Sequence, residues 1–386
     1  MKGSIVKRGP NWAIILDIHD ATTGRRRRKW HSFRGTKREA ENKCAELISK
    51  AQTGTAIEPT KNTLREYLGL WLDHISNQVS PSSCESYRKM VTAYIVPALG
   101  NTVLSKLAPA AIAKAYSDAK QHGRKGGKGG LSANSIRLAH RVLSAALKQA
   151  VIWKLLPNNP CVAVKPPRIE RKQMKVLDAE QTAALIEFAR SHPRMFVPVL
   201  LGAFCGLRRG EVAALCWKSV NLDAGQLAVV ANTEQTKALG CREKPPKSDR
   251  ARTVALPAIV VEEPRRHRIS QAESLLRLGV RQTDATHVCL LDTGEPWSPH
   301  GLTLEFRRLI KASGLPRIRL HGLRHGHATH LLAANIHPKV VQERLGHSSI
   351  AITLDLYSHV LPGLQQEAAA SIDATLGSAL KRRRDS

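Results

Sequence analysis

Positive charge spread along the entire chain is the feature that most limits what it can fold into. Across 386 residues, 60 Lys and Arg side chains stand against 31 Asp and Glu, a formal charge of +29. The excess is +8 over residues 1–56, +9 over 57–160 and +12 over 161–386. One compact body carrying that charge repels itself unless a polyanion covers it. Every part is basic, so a long partner fits better than a single small anion. Nucleic acid is the first candidate and an anionic membrane surface the second. The longest apolar run, Met195 to Leu207, is 13 residues and contains Pro198; a membrane span needs roughly 20. The opening MKGSIVKRGPNW lacks the apolar core of a signal peptide. Seven cysteines stand at 44, 84, 161, 205, 216, 241 and 289 with no CxxC pair. That spacing predicts neither a disulfide scaffold nor a zinc ribbon, and points to a reduced compartment.

Punctuation divides the chain into three modules and predicts a mainly α protein with small β elements. Residues 1–56 read as a small β-sheet plus a helix. Trp12 to Ile18 is one strand, Arg25 to Phe33 the next, and Thr36 with Glu39 forms a capping box at a helix start. The run Arg25, Arg26, Arg27, Arg28, Lys29 lies on the second strand, where alternating faces cannot bury it cheaply; a β-ribbon laid on DNA would use it. Residues 62–157 read as helical. Thr63 and Glu66 cap one helix, Ser80-Pro81 opens another ending near Pro97, and Pro109 opens a third. Ser132 to Trp153 is a long helix carrying Arg137 and Arg141 as further DNA-contact candidates. Gly123 to Gly130 is a basic Gly-rich loop, but Lys128 is followed by Gly, so it is no P-loop. Pro160, Pro166 and Pro167 mark a linker over 158–176. Residues 177–386 form the largest module, helical apart from a β region between Gln226 and Leu256.

Five boxes in this last module carry chemistry. They are Cys205-Gly206-Leu207-Arg208-Arg209-Gly210-Glu211, Pro245 to Val254 with Lys247, His321-Gly322-Leu323-Arg324-His325, Leu345-Gly346-His347-Ser348-Ser349, and Leu356-Tyr357-Ser358-His359. Cutting a phosphodiester by in-line attack needs an oxygen nucleophile, a proton for the leaving oxygen, and fixed positive charge at the phosphate. Arg208 and Arg324 suit the last need, because a planar guanidinium can grip two oxygens. Either could instead serve a structural ion pair, Arg208 with Glu211 for instance. Tyr357 is the one phenol in the last 270 residues. His321 and His347 offer imidazoles that titrate near neutrality. His325, His327, His330 and His359 read as structural, and no metal site is expected.

In this order and spacing the boxes resemble the tyrosine recombinase family, in particular phage-type, lambda-integrase-like site-specific integrases. The resemblance covers most of 177–360 by motif and the upstream segments by layout. It implies an arm-type DNA-binding domain (1–56), a helical core-binding domain (62–157), the 158–176 linker, and a catalytic domain with a C-terminal tail helix (177–386). It implies that Tyr357 attacks to form a 3′-phosphotyrosyl link. Arg208, His321, Arg324 and His347 would act at the phosphate, and Lys247 would protonate the leaving 5′-oxygen. Lys244 and Lys237 are the alternatives in register for that last role. Gly326, where the family often has a hydroxyl residue, predicts local looseness in its helix. No cofactor, neither ATP nor metal, is implied. The implied partners are double-stranded attachment-site DNA, a homotetramer on that DNA, a host DNA-bending protein and an excisionase, all in the cytoplasm of a bacterial host. A type IB topoisomerase and a DNA-binding protein that does not cut remain as alternatives.

Overall fold

The computed structural model describes residues 2–19, 26–52, 61–123, 129–169, 175–245, 251–360, 369–377 and 383. The chain divides into two units, Met1–Arg171 and Lys172–Ser386. Among the described residues no helix is long and apolar enough to cross a membrane.

The first unit begins with an antiparallel meander of β1 (Lys2–Arg8), β2 (Asn11–His19) and β3 (Arg26–Phe33). The sequence predicts two strands here; β1 is the addition. Its Lys2-Gly3-Ser4-Ile5-Val6-Lys7-Arg8 lacks a clean apolar alternation, and it forms because β2 would otherwise leave an edge unpaired. In the register Ile5 faces Ile14 and Asp17 faces Arg28. Ile14 and Leu16 point to one side and are buried with Cys44 under α1 (Lys37–Gln52), with Ile5, Phe33, Leu47 and Ile48 closing the small core. The predicted capping box starts α1: the Thr36 hydroxyl accepts from Glu39 N–H, and Glu39 Oε2 accepts from Thr36 N–H at 2.8 Å.

The helical part of this unit comprises α2 (Leu64–Ser76), α3 (Pro81–Met90), α4 (Val96–Leu99), α5 (Pro109–His122) and α6 (Ala133–Ile152). Leu64, Leu68 and Trp71 of α2 pack on Val142, Leu143 and Leu147 of α6, with Ile112 from α5. The Tyr67 hydroxyl, buried among them, donates to the Ala146 carbonyl at 2.5 Å. The helix expected to end near Pro97 passes through a π turn at Val91–Ile95 and ends at Leu99, two residues beyond that proline. Pro97 has no N–H to donate back along the helix, and the widened turn accommodates that loss. Packing also continues into the expected linker: Pro160–Ala163 is a 3-10 turn, and Cys161 and Val164 belong to the helical core.

The second unit contains α7 (Ala179–Arg190), α8 (Pro193–Cys205) and the short α9 (Arg209–Ala214). Next come a sheet of β4 (Val220–Asn221), β5 (Gln226–Val229) and β8 (Arg252–Ala255), and a separate hairpin of β6 (Asn232–Thr236) and β7 (Gly240–Lys244). Then follow α10 (Ala258–Arg277), α11 (Pro299–Ala312), α12 (Leu320–Ala333), α13 (Pro338–Leu345) and α14 (Ile350–Val360). Met195, Val199 and Leu201 of α8 are buried in one core with Trp217, Phe306, Leu309 and Leu323. That explains the long apolar run: α8 is the central helix, covered on most of its circumference. The β strands lie where the sequence places them, except that the region begins at Val220, ahead of Gln226.

Candidate active site

The site is built around the end of one short helix. α13 stops at Gly346, whose φ of +65° places it in the left-handed region and turns the last carbonyls of the helix outward. Three successive carbonyls there each accept from a different arginine. Arg344 O takes Arg252 Nε at 2.9 Å, Leu345 O takes Arg324 Nη2 at 2.6 Å, and Gly346 O takes Arg208 Nη2 at 3.0 Å. Helix C-terminal carbonyls lack intrahelical donors and carry the negative end of the dipole, so they hold like charges close together. Gly206, at the end of α8 with a φ of +63°, does the same for the other prong of Arg324, accepting from Nη1 at 2.7 Å.

Arg208 stands at the N-cap of α9. Its backbone N–H donates to Glu211 Oε2 at 2.9 Å and its Nη1 to Glu211 Oε1 at 2.8 Å, while a quarter of its side chain stays exposed. The structural ion pair and the phosphate role are therefore compatible: Glu211 and the Gly346 carbonyl each hold one prong, and the group still reaches solvent. Arg252 grips the same carboxylate in a fork, Nη1 to Oε1 at 3.0 Å and Nη2 to Oε2 at 2.7 Å. Burial alone would raise the Glu211 pKa, but the bonds and charge of Arg252, with those of Arg208, hold it down at about 2. Arg324, only 2% exposed, has its pKa brought down to about 9 by burial and by the neighbouring Arg208; it stays charged at neutral pH. Among the described residues one buried carboxylate thus faces three guanidiniums, and there the pocket is short of negative charge.

The histidines gather at the same place. His321, on α12, lies edge-on to His325 with ring centroids 4.6 Å apart. Desolvation and the charges of His325, Arg324 and Arg208 push its pKa down to about 4. His347 shares a 2.9 Å hydrogen bond between Nδ1 and the buried Thr353 hydroxyl; burial, Arg324 and Arg208 also push it to about 4. Both imidazoles are neutral at pH 7. His327 is structural, as expected. Its Nε2 accepts from Arg344 Nε at 3.0 Å, which leaves the proton on Nδ1 to meet the Ala203 carbonyl. α12 runs unbroken through Gly326, and a Cβ there would meet nothing nearer than 3.9 Å.

Tyr357 lies on α14, whose backbone is described while the side chain is not. Lys247 falls at 246–250, outside the described residues, between β7 and β8. Of its alternatives, Lys244 is ion-paired with Glu234 at 3.1 Å and Lys237 sits in the β6–β7 turn. Arg25 is also outside the described residues; Arg26, Arg27 and Lys29 have their backbone places on β3. Arg28 is exposed and pairs with Asp17 at 3.2 Å. On the same face stands Trp30, 52% exposed, with the Arg8 guanidinium 5.0 Å above its ring. Arg137 and Arg141 share an exposed face of α6. Sequence reasoning missed Trp30 and Arg252. Arg252 sits inside a quoted box as a charged residue on a short strand, a signal that some partner had to neutralise it.

Three profiles match the chain in order: an arm DNA-binding domain over residues 4–51, a phage integrase N-terminal SAM-like domain over 63–119, and the phage integrase family itself over 175–363. A tyrosine recombinase XerC-like protein of Caldanaerobacter subterraneus subsp. tengcongensis is 26% identical, with 96% of this chain and 98% of that protein covered. The ICEBs1 integrase of Bacillus subtilis is also 26% identical, over 96% of this chain and all of its own length, 100%. Among solved structures, the Tn1549 transposon integrase in complex with a circular intermediate DNA has a TM-score of 0.69 at 19% identity, covering 81% of this chain and 99% of its own. A lambda integrase tetramer bound to a Holliday junction has a TM-score of 0.56 at 19% identity, covering 91% and 94%. These two share the fold. The order of the domains and the boxes that build the arginine pocket lead to one conclusion: the chain belongs to the phage integrase family of tyrosine recombinases, enzymes that cut and rejoin DNA at specific sites.

Proposed function

We propose that this chain is the integrase of a mobile genetic element, joining and excising that element at attachment sites through a covalent protein–DNA intermediate. Tyr357 is the nucleophile. Its oxygen bonds to the scissile phosphorus, the bond to the 5′-oxygen breaks, and Lys247 gives that oxygen its proton. Arg208 and Arg324 hold the non-bridging oxygens. Neutral His347 donates a hydrogen bond, and neutral His321 is the base or hydrogen-bond partner beside the phosphate. A 5′-hydroxyl from the partner duplex then reverses the step, so the ester conserves the bond energy.

The observation that carries this reading is that, among the described residues, Arg208, Arg324 and Arg252 converge on one carboxylate, Glu211, and three carbonyls, with more positive than negative charge. A phosphodiester supplies what the pocket lacks. Residues 1–56 bind arm-type DNA, 62–157 bind the core site, 158–176 join them to the catalytic residues 177–386, and four protomers act on two duplexes. Arg25 to Lys29 and the Arg137 and Arg141 face of α6 supply backbone contacts to DNA. A host DNA-bending protein and an excisionase set the direction, and the reaction belongs to the bacterial cytoplasm.

Tyr357→Phe tests the reading, because it removes one oxygen and leaves the ring. On a nicked attachment-site duplex that traps the cut state, wild type forms a denaturant-resistant adduct. The variant binds the same DNA and forms none. An adduct with the Phe variant would remove Tyr357 from the chemistry.

A further inference from the structure

We propose that Cys216, Glu243 and His287 form a zinc site that staples the β6–β7 hairpin to the body of the catalytic unit. Among the described residues they are the one set of three Cys, His or carboxylate side chains whose donor atoms all lie within 4.8 Å of one another. None of the three enters the hydrogen bonds of the arginine pocket, so the site is separate from the reaction centre.

The backbone brings two of the donors together. Cys216 and His287 face each other across an isolated antiparallel bridge. Val288 N–H donates to Leu215 O at 2.7 Å and Trp217 N–H to Thr286 O at 3.0 Å on either side of them. That pattern makes 216 and 287 a non-hydrogen-bonded pair, the register in which opposed side chains come closest. Gln271 Nε2 fixes the segment further by donating to the His287 carbonyl at 3.1 Å. The third donor comes from a different element: Glu243 lies on β7, and its Oε1 is 2.9 Å from His287 Nε2.

The donor chemistry selects the metal. One thiolate, one imidazole and one carboxylate form a borderline-soft set suited to zinc, and ill suited to magnesium or calcium, which take oxygen. Tetrahedral coordination with bonds of about 2.0–2.3 Å separates ligand atoms by roughly 3.3–3.8 Å. Carboxylate and imidazole need to part by only a few tenths of an ångström. On binding, the Cys216 thiol releases its proton to solvent, and the proton that His287 Nε2 donates to Glu243 leaves that nitrogen, the neutral ring carrying its remaining proton on Nδ1 by exchange with solvent. The ion takes the place of the hydrogen bond between Glu243 and His287. Cys216 is 8% exposed while half of the Glu243 side chain faces solvent, so the fourth position opens outward to water. β7 leads directly into residues 246–250, and a metal on Glu243 therefore holds the strand that enters the Lys247 segment.

Cobalt reports on thiolate ligation without any need for DNA or activity. Full-length protein stripped with a chelator and titrated with cobalt(II) develops a thiolate-to-cobalt charge-transfer band and the visible bands of a four-coordinate ion. They saturate at one ion per chain, and zinc displaces them. Cys216→Ser abolishes the charge-transfer band. Glu243→Gln, a change on an exposed side chain that leaves the fold intact, weakens cobalt binding tenfold or more. Cys241→Ser, on the exposed cysteine of the same strand, leaves the spectrum unchanged. The proposal fails if no charge-transfer band appears, if the band survives in Cys216→Ser, if it is lost in Cys241→Ser, or if Glu243→Gln binds as tightly as wild type.

Discussion

Arg252 shows how a residue outside the proposed bond-breaking step can hold in place one that the proposal assigns to it. It holds both oxygens of Glu211, and Glu211 in turn fixes one prong of Arg208. With Arg252 only 9% and Glu211 only 1% exposed in their side chains, removing the arginine leaves a buried carboxylate half-paired. Such a loss costs about 3–5 kcal/mol. Arg252→Ala is expected to lower stability by that order in denaturant unfolding and to slow single-turnover cleavage more than it weakens DNA binding. Arg252→Lys restores charge without the fork and recovers stability better than rate. Equal cleavage by bound, folded Arg252→Ala and wild type would make the residue a purely structural one. His327 sets a pH dependence at the same scale. Burial first, then Arg344, depress its pKa to about 4, whereas the unfolded value is about 6.5. The unfolded chain thus binds the extra proton first as pH falls. Stability is complete above about 6.5 and declines from there towards 4, by roughly 1.4 kcal/mol per unit from this group. Urea unfolding at pH 7, 6 and 5 is expected to show the decline, and His327→Gln to make it shallower, the similarly depressed His321 and His347 accounting for the rest; parallel slopes for the two proteins would exclude His327 as a contributor.

At the scale of elements, helix ends do most of the positioning. Two left-handed glycines close α8 and α13 and aim their carbonyls at the arginines. The tail beyond α14 is a different case. The sequence places Leu364, Ala368, Ile372, Leu376 and Leu380 four residues apart, a single apolar stripe. Of these, Ile372 and Leu376 are described, and they are 60% and 56% exposed; the other three lie outside the described residues. The open Ile372 and Leu376 suit docking on a neighbouring protomer. Truncation after Gly363 is expected to spare binding to a single site and to reduce assembled two-duplex complexes in gel-shift assays. Ile372→Asp should act the same way, since a buried unpaired charge opposes docking. Wild-type assembly by both variants would show that the tail is dispensable.

For the whole molecule, charge is the organising quantity. The arm segment carries +8 of the total, and its sheet presents Arg8, Arg28 and Trp30 on the face away from α1. Deleting residues 1–56 is expected to weaken binding to long attachment DNA more than to the minimal core site. Each phosphate contact releases counterions, so the intact chain should also show the steeper salt dependence on the long DNA. Equal losses on both substrates would place this segment at the core site instead.

Much of this protein is local in origin, and that part was legible in the residues. The capping boxes at Thr36 and Thr63 form as the spacing predicts, because cap and partner lie within one turn. The boxes around Arg208, Arg324, His347 and Tyr357 are short and ordered, so they could be read before any geometry was known. What the sequence could not determine depends on distant partners. β1 forms because β2 offers it an edge, not because its own residues alternate. The π turn at Val91–Ile95 lies in a packed helical core, and no local signal announces it. Arg252 and Arg344 meet across 92 residues, Cys216 and His287 across 71, and no periodicity connects such pairs. Local sequence sets caps, faces and the chemical parts. Only tertiary packing decides which buried charge finds which partner, because a charge out of water is stable only beside a group that the fold itself must deliver.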